Sequence, residues 1–424
     1  MKTLNIPETN LKRIVIIGGG FAGLQLVKHL SSRHYQVVLI DKNNYHTFQP
    51  LLYQVATSGL EPDSIAYPIR RILWKKDGFY FRNTRAVQVD AANKVLHTED
   101  GTLLYDYLIL AMGSETNYFG NQEIEQRSMP LKTVPDALNL RSLILENFEA
   151  SLLTDDLKER ERLMNYVIVG GGPTGVELSG AMAELKNHVL PNDYPDLDIR
   201  RMNVHLLEAN DALLKAMGDK SGIKALDYLT GMGVTVWLNT RVENYDGSMV
   251  NTNNKDLPAS TLIWAAGVAG NVLEGIGEHA VERGRILVDE YNQVLGHDGI
   301  FSVGDVCLMK SDDKPGGDPM VAQTAIQQGA LLAKNLNRKA RNTDMVSFNY
   351  NDKGSMATVG RNKAVAQIGS FFSGGFFAWT IWMFVHLMAL VGFKNRMVAL
   401  VNWVQSYLTY DKGIRLIIRP FKGK

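Results

Sequence analysis

The sequence is poor in cysteine, with Cys307 as the one thiol among 424 residues. Disulfide and sulfide oxidoreductases need at least a pair of thiols, so this chain cannot carry that kind of redox centre. A lone cysteine is most often a small buried residue. We therefore predict that Cys307 is packed after a strand and takes no part in redox chemistry.

An excess of charge of either sign is also missing. Lys and Arg total 45 against 44 Asp and Glu, a formal net charge of +1, which gives no reason to expect a nucleic acid as partner. Residues 1–12 are polar and lead directly into a strand-like run, so they leave no room for the apolar core of a secretory signal. Length and composition are those of a large cytosolic enzyme with two or three domains.

Glycine, by contrast, occurs in a pattern that is found twice. A β-branched run, the motif G-x-G-x-x-G and a helix-like stretch follow one another at Gly18–Gly23 and again at Gly170–Gly175. The first glycine of such a motif permits a tight turn, and the second lets backbone N–H groups reach a pyrophosphate. The third lets the helix pack closely on its strand. The glycines concerned are Gly18, Gly20 and Gly23 in the first copy, and Gly170, Gly172 and Gly175 in the second.

Each copy is followed by a second strand that ends in an acid. The two strands are Val37–Asp41 and Val204–Glu208. An acid at this position accepts a hydrogen bond from the ribose of a bound dinucleotide. The chain is therefore predicted to hold two dinucleotides, which an enzyme needs when electrons pass between them.

Three further strand ends fit the same pattern. Tyr105–Gly113 and Thr261–Gly267 are apolar strands that stop at small residues, which suit a close backbone approach to a cofactor. Gly299–Asp305 ends in a Gly-Asp pair whose carboxylate can accept hydrogen bonds from the ribityl chain of FAD. Each segment alone could equally be an ordinary buried strand, but their order around the two loops favours cofactor binding.

These features predict an α/β fold with two Rossmann-like dinucleotide-binding domains, to which the C-terminal tail described below adds amphipathic membrane-anchoring helices. The FAD domain is expected to be interrupted by the NADH domain. The expected segments are residues 1–118 and 284–345 for FAD, 119–283 for NADH, and 346–424 for a membrane-associating region.

Longer stretches resemble the type II NADH dehydrogenases, which are single-subunit, non-pumping NADH:quinone oxidoreductases. The similar segments are Tyr45–Ala56, Gly170–Leu178, Trp264–Val268 and Ala322–Gly329, and the last resembles that family's quinone-site signature. The resemblance covers essentially the whole chain. It implies FAD contacts from Gly18, Gly19, Gly20, Phe21, Ala22, Gly23, Asp41, Lys42, Val87, Asp305, Ala322 and Gln323, to which we add the turn at Gly113. It implies NADH contacts from Gly170, Gly172, Gly175, Glu177, Glu208 and Gly267.

Two interpretations of Glu177 are open. The spacing from Thr174 to Glu177 is that of a capping box, although Pro173 suits the first helical position and would make Gly172 the cap. Alternatively, the carboxylate lies close to the flavin and the nicotinamide, where it could position NADH and relay protons to the reduced quinone. We favour the second interpretation, mainly because of the resemblance.

Gln323 and Gln327 are four residues apart and would share one face of a helix. The spacing alone favours a solvated polar face. The small neighbours Ala322, Ala325 and Gly329 suit packing on a cofactor instead, and the resemblance favours amides that bond a quinone carbonyl or the flavin edge. Gln323, Gln327 and Glu177 are therefore our candidate catalytic residues.

The C-terminal tail lacks Asp, Glu, Lys and Arg from Gly374 to Phe393. Met397–Tyr410 predicts a second helix with a polar and an apolar stripe, and its length of about 21 Å is short of a ~30 Å hydrocarbon core. We expect an anchor lying in the membrane interface rather than two spans, while two buried core helices are the alternative. Basic residues that would contact lipid headgroups follow at Lys412, Arg415, Arg419, Lys422 and Lys424.

The main expectation is a peripheral, monotopic NADH:quinone oxidoreductase on the cytoplasmic face of the cell membrane. Its cofactors are FAD and NADH, with no metal, and its partners are a membrane quinone and the lipid bilayer. A homodimer is left open. One alternative is a soluble NADH-dependent flavoprotein reductase that serves a protein acceptor. Another is a redox-sensing module without enzymatic activity.

Overall fold

The computed structural model describes residues 2–410 and 413–418. The chain forms two compact units. The first unit contains Met1–His46, Tyr67–Glu115 and Val268–Asp352, and the second contains Thr47–Ala66, Thr116–Gly267 and Lys353–Lys424. The domain limits expected from the sequence stay a prediction, and the segment Thr47–Ala66 belongs to the second unit.

The first unit is built on a parallel sheet of five strands. The strand before the first glycine loop, Lys12–Ile17, lies in the middle, and Val15 is paired with Val38 on one side and Leu108 on the other. Its residues Ile14–Ile16 are fully buried, as the apolar run of a parallel strand covered on both faces requires. The strand order is Ile300–Ser302, Tyr107–Leu110, Lys12–Ile17, Tyr35–Asp41 and Phe79–Asn83.

Two helices of the first unit pack closely against each other. Phe21–His29 follows the glycine loop, and Ala322–Lys339 carries the candidate residues Gln323 and Gln327. A Cβ atom at Gly329 would lie 2.5 Å from the backbone oxygen of Ala22, so glycine is needed for this approach. The expectation that Gln323 and Gln327 share a helix is confirmed.

The second unit repeats this plan. Its parallel sheet also has five strands, and the strand before the second glycine loop, Asn165–Val169, again lies in the middle. Helix Pro173–Glu184 follows the loop. The predicted α/β fold with two Rossmann-like halves is therefore confirmed. The strand order is Met129–Pro130, Thr261–Trp264, Asn165–Val169, Asn203–Leu207 and Thr235–Trp237.

An antiparallel sheet near the C-terminus packs on helix Pro173–Glu184. The contact is close at Gly180, where a Cβ atom would collide with the backbone oxygen of Val359. Two helices then end the described fold, Phe376–Ala389 and Phe393–Thr409. The strands of this sheet are Ser355–Gly360, Lys363–Ile368 and Phe371–Gly374.

The last helix begins at Phe393, four residues before the predicted start, and has 17 residues. Its length of about 26 Å is still below the ~30 Å of a hydrocarbon core. Within the ranges that the structure describes, none of the helices has the length and apolar character needed to cross a membrane.

The two terminal helices each have a buried and an exposed apolar side. Trp382, Ala399 and Trp403 are buried, whereas Phe377 is 75% exposed and Leu408 is 73% exposed. The alternative of two buried core helices is therefore wrong for this chain.

The predicted basic end is only partly described. Arg415 forms an ion pair with Asp193 at 2.6 Å. Lys412, Arg419, Lys422 and Lys424 lie outside the described residues.

The remaining elements complete the two units. The remaining helices include 3₁₀ and π turns and are Gln49–Leu51, Leu52–Ala56, Pro62–Ile65, Ile69–Ile72, Gln122–Arg127, Val134–Leu153, Leu157–Leu163, Leu185–Val189, Leu190–Asp193, Ile199–Arg201, Lys215–Met217, Asp219–Gly231 and Glu278–Ala280. The remaining strands are Tyr45–Thr47, Ala66–Pro68, Ala86–Asp90, Val95–Thr98, Gly101–Leu104, Ser114–Thr116, Val242–Tyr245, Met249–Thr252, Leu257–Pro258, Val268–Gly270, Val281–Glu282, Arg285–Val288 and Cys307–Met309.

The close approach at Gly180 predicts a stability effect. Gly180→Ala should lower the free energy of unfolding by about 1–3 kcal/mol, since the added methyl group forces the helix and strand apart. Gly231→Ala is the matched control, because a Cβ atom at Gly231 has no neighbour within 4 Å. Urea unfolding followed by circular dichroism measures both variants, and equal midpoints would contradict the packing argument.

Candidate functional site

The first glycine loop is joined directly to the acid that ends the next strand. Oδ2 of Asp41 accepts a hydrogen bond from the backbone N–H of Gly19 at 2.6 Å, and Oδ1 accepts from Asn43 N–H at 2.7 Å. Gly18 has a φ of +106°, and a Cβ atom at Gly20 would have no neighbour within 4 Å. The loop therefore offers open backbone beside a carboxylate that has lone pairs left. This arrangement fits the pyrophosphate and ribose of a dinucleotide.

His46 also contacts this loop, and the sequence did not single it out. Its Nδ1 lies 3.0 Å from the backbone oxygen of Gly19, and a carbonyl can only accept, so Nδ1 carries the proton. Burial lowers the pKa of His46 to about 4, which keeps the ring neutral. Its Nε2 is a buried acceptor without a hydrogen-bond partner among the described residues. Such an orphaned acceptor beside the loop fits a donor group of bound FAD.

The Gly-Asp turn of the first unit is held by Gln328, which the sequence did not single out. Gln328 is buried, and its Oε1 accepts a hydrogen bond from the N–H of Gly304 at 2.7 Å. Gln327 instead holds the backbone of Asn351 through both ends of its amide, at 2.9 and 3.0 Å. Gln328 follows Ala325 by three residues and precedes Leu332 by four, which places it on the buried face of helix Ala322–Lys339. This spacing was the sequence signal that could have identified Gln328.

Asp305 follows this turn and is bonded across the unit's chain segments to Ser114. The Ser114 hydroxyl donates to Oδ2 of Asp305 at 2.5 Å. The neighbouring Gly113 has a φ of +70° and open space where a side chain would be. Carboxylate and open backbone together fit a polyol chain approaching this edge.

The other FAD candidates also lie in the first unit. Phe21 and Ala22 open the helix after the loop, and the Phe21 ring packs edge-on against His46 with centroids 5.2 Å apart. Lys42 and Val87 are exposed. Ala322 and Gln323 form the first turn of their helix, after Val321 as the N-cap.

The second loop has the same connection between glycine and acid. Oε2 of Glu208 accepts from the N–H of Gly171 at 2.6 Å, and Oε1 accepts from Asn210 N–H at 2.7 Å. Gly170 has a φ of +110°, and Gly172 has open space at its Cβ position. The two loops are thus alike in their hydrogen bonds as well as in their spacing.

Gly267 and Gly175 lie at positions near the second loop where the packing leaves no room for a side chain. Gly267 has a φ of +78°, and a Cβ atom there would lie 2.7 Å from the ring of Phe119. A Cβ atom at Gly175 would collide with the backbone oxygen of Gly170. All of the NADH candidates lie within the second unit.

Glu177 is buried in helix Pro173–Glu184. Gly172 is the N-cap and Pro173 the first helical residue, as expected. The capping-box alternative is wrong, because Glu177 accepts from Thr358 N–H at 3.3 Å and not from the cap. Burial raises the pKa of Glu177 to about 8, although the Thr358 N–H and the Trp382 indole act against the shift. At pH 7 the carboxyl group therefore holds a proton that it can release.

Glu177 faces a cavity within the second unit. The cavity has about 830 Å³ of empty space including its mouth. Concave sites with apolar and aromatic walls and a few polar groups are typical of sites for small organic ligands. The sequence did not identify most of its lining, which includes Tyr53, Gln54, Trp379, Trp382, Trp403 and Tyr407.

Comparison with known proteins agrees with this geometry. Residues 12–329 match the family of pyridine nucleotide-disulphide oxidoreductases, and residues 353–410 match the NDH2 C-terminal domain. The fold is similar to that of NDH2 from Plasmodium falciparum in complex with NADH, with a TM-score of 0.88, 23% identity and coverage of 96% of this chain and 99% of that one. The protein is thus an FAD- and NAD-dependent oxidoreductase with two dinucleotide sites.

Closer relatives define the family. Type II NADH:quinone oxidoreductase NdhA of Mycobacterium tuberculosis is 38% identical over 95% of this chain and 88% of its own length. The type II NADH:quinone oxidoreductase of Staphylococcus haemolyticus is 31% identical over 84% of this chain and 90% of its own. The chain belongs to the type II NADH:quinone oxidoreductase family. The expected family, enzyme class and cofactors are confirmed, and neither a protein-acceptor reductase nor a non-enzymatic sensor is supported.

The single cysteine agrees with this assignment. Cys307 is fully buried, as predicted, although it begins strand Cys307–Met309 and does not follow a strand directly, and burial raises the pKa of its thiol to about 12. A thiol that stays protonated is a poor nucleophile, so Cys307 takes no part in disulfide exchange.

Glu208 predicts a preference for NADH over NADPH. Its carboxylate can accept from a ribose 2′-hydroxyl but repels a 2′-phosphate. Glu208→Gln should lower the ratio of kcat/KM for NADH to kcat/KM for NADPH by about tenfold, because the substitution removes the negative charge. Steady-state rates with each cofactor measure the ratio. Asp219→Asn is a control for losing one acid in the same unit, and an unchanged ratio in Glu208→Gln would contradict the assignment.

Proposed function

We propose that this protein oxidises NADH and reduces a membrane quinone, with no proton pumping. The observation that carries the proposal is Glu177, a buried carboxyl group that faces an aromatic cavity and whose pKa is raised by burial. FAD, when bound by the first glycine loop, supplies the two-electron carrier between the two substrates.

The second unit's loop has the task of orienting NADH. Hydride transfer needs correct orientation of the two reacting rings and no side-chain acid. Gly172 leaves the backbone open to the pyrophosphate, and Gly170 and Gly175 permit the close packing of the loop. Glu208 accepts three hydrogen bonds and has a lone pair left for the ribose.

The cavity beside Glu177 is our candidate for the quinone headgroup. Its aromatic walls can stack on a flat ring, and the Glu177 proton can be given to the reduced product. Reduction of a quinone to a hydroquinone takes up two protons, so a carboxyl group with a pKa of about 8 is well matched to donate one at neutral pH.

The glutamines stay candidates for contacts with the flavin edge or the quinone. Gln323 lies in the first turn of its helix, and we propose that its amide serves this role. Gln327 would first have to release the backbone of Asn351. Its part in catalysis therefore requires a local rearrangement.

We further propose that the two terminal helices bind the surface of the cell membrane on its cytoplasmic face, where NADH is available. Large apolar side chains are exposed along both helices, and Lys394 is exposed at the start of the second. An apolar surface with nearby positive charge is typical of helices that lie in the lipid interface. A homodimer that covers the same side chains is the competing arrangement.

Glu177→Gln tests the proton step. The variant keeps the shape of the side chain but has no ionisable proton, so quinone reduction should fall about a hundredfold. Stopped-flow reduction of the flavin by NADH should change only a few-fold. Wild-type rates in both half-reactions would leave Glu177 with a structural role only.

The same variant gives a pH test. The pKa of Glu177 is raised from 4.5 to about 8 in the folded protein, so the proton is held more tightly there than in the unfolded chain. The stability contribution is complete below pH ~4.5 and is lost as the pH rises through about 8. As the pH rises over this range, the melting temperature and the quinone turnover of the wild-type protein should both decline. In Glu177→Gln the same two quantities should depend less steeply on pH.

Polar substitutions on the exposed face test membrane binding. Phe377→Ser, Phe384→Ser and Leu408→Ser together should lower partitioning into anionic vesicles by at least about a hundredfold, since each large apolar side chain contributes about 1.5–3 kcal/mol. The control is Trp74→Ser, Leu104→Ser and Leu153→Ser, which changes equally exposed side chains elsewhere. Vesicle sedimentation measures partitioning, with flavin absorbance as the check on folding. If the wild-type protein is a dimer and does not sediment with vesicles, the result supports the homodimer that covers these side chains.

A further inference from the structure

A chain of hydrogen bonds connects the last helix to the cavity of the second unit. The indole N–H of Trp403, in helix Phe393–Thr409, donates to Oε1 of Gln54 at 2.7 Å. Nε2 of Gln54 then donates to the hydroxyl oxygen of Tyr53 at 2.9 Å. All three residues line the cavity that Glu177 faces.

The chemistry of the three groups fixes the direction of this chain. An indole N–H is a donor only, so the amide oxygen of Gln54 must face Trp403 and its NH₂ group must face Tyr53. The oxygen of Tyr53 is then an acceptor for Gln54. The hydroxyl proton of Tyr53 is therefore left to donate to some other group.

The hydroxyl group of Tyr53 lies where its proton can be donated to a ligand in the cavity. Its side chain is buried in helix Leu52–Ala56, and in the described part of the chain Gln54 is its hydrogen-bond partner. Burial raises the pKa of Tyr53 well above its ordinary value, and Glu177 adds to this shift once it is ionised, so the phenol stays protonated. A buried hydroxyl proton without an acceptor is costly, and a ligand carbonyl in the cavity would remove that cost.

We propose that Tyr53 donates a hydrogen bond to a carbonyl oxygen of the quinone, and that Gln54 and Trp403 are positioning residues that aim it. The assignment rests on the proposed function, because it takes the cavity as the quinone site. Helix Phe393–Thr409 then has a second role besides lipid contact, because Trp403 fixes the orientation of the Tyr53 hydroxyl through Gln54. No bond is made or broken by Tyr53 in this role.

Tyr53→Phe removes the hydroxyl and keeps the ring. We expect kcat/KM for a short-chain quinone to fall about three- to tenfold, mostly through a higher KM, which is the usual effect of losing one neutral hydrogen bond. NADH oxidation with ferricyanide should stay at the wild-type rate. Tyr245→Phe is the matched control, because it removes a buried tyrosine hydroxyl of the same unit that donates to Ala259 and lines no part of the cavity.

The positioning role has its own test in a double-mutant cycle. Trp403→Phe alone should raise the KM for quinone, but added to Tyr53→Phe it should cause little further loss, because it acts through the missing hydroxyl. Gln54→Leu serves in the same cycle if Trp403→Phe loses its flavin. Additive effects would show that Trp403 only supports the fold and would overturn the positioning role.

Two other results separate the possible failures. If Tyr53 donates to the Glu177 carboxylate instead, Tyr53→Phe will shift the pH profile of quinone reduction and leave KM unchanged, which overturns the proposal. If the wild-type protein reduces ferricyanide but no quinone, the proposed function fails, and with it the premise of the assignment. Wild-type quinone kinetics in Tyr53→Phe overturn only the role of Tyr53.

Discussion

A carboxylate bound to the middle glycine of a tight loop is the contact on which both halves of the molecule depend. Asp41 holds the N–H of Gly19, and Glu208 holds the N–H of Gly171, each at 2.6 Å. Because the acid ends the neighbouring strand, the bond fixes the loop against the sheet before any nucleotide binds. The helix N-terminus and the open backbone are thereby preorganised for an anion.

Glu177 illustrates how a costly group is retained at a functional position. Its burial opposes ionisation and raises its pKa to about 8, and one backbone hydrogen bond from Thr358 only partly offsets this. A carboxyl group that remains neutral costs little in a buried site, whereas its ionised form would be expensive. The same burial makes the group a proton donor near neutral pH, which is the property that quinone reduction can use.

Each terminal helix has one side that packs on the protein and one side that is exposed to the surroundings. Trp382, Ala399 and Trp403 turn inward, and two of these side chains line the cavity. The opposite sides present large apolar residues such as Phe377 and Leu408 to the outside. Because both surfaces belong to the same short helices, a change in how these helices pack affects the cavity as well as the exposed face.

The sequence by itself determined the fold class and the position of both dinucleotide loops. Glycine spacing, apolar runs and terminal acids are local features, so strands such as Lys12–Ile17 and caps such as Gly172 follow from neighbouring residues. The resemblance of longer segments also indicated the family. The start of the last helix was missed by four residues, because the helix begins after Gly392 without a side-chain cap that the sequence could signal.

Only the tertiary structure decided which side chains meet at the site. Gln328 holds the Gly304 turn and Gln327 holds Asn351, because the packing of their helix buries the first amide and not the second. Glu177 lines one cavity with Thr358 and Trp382, which are distant in sequence, and the Trp403–Gln54 bond joins residues 349 positions apart. Contacts of this kind arise from packing between elements, and the sequence pattern of either element alone does not specify them.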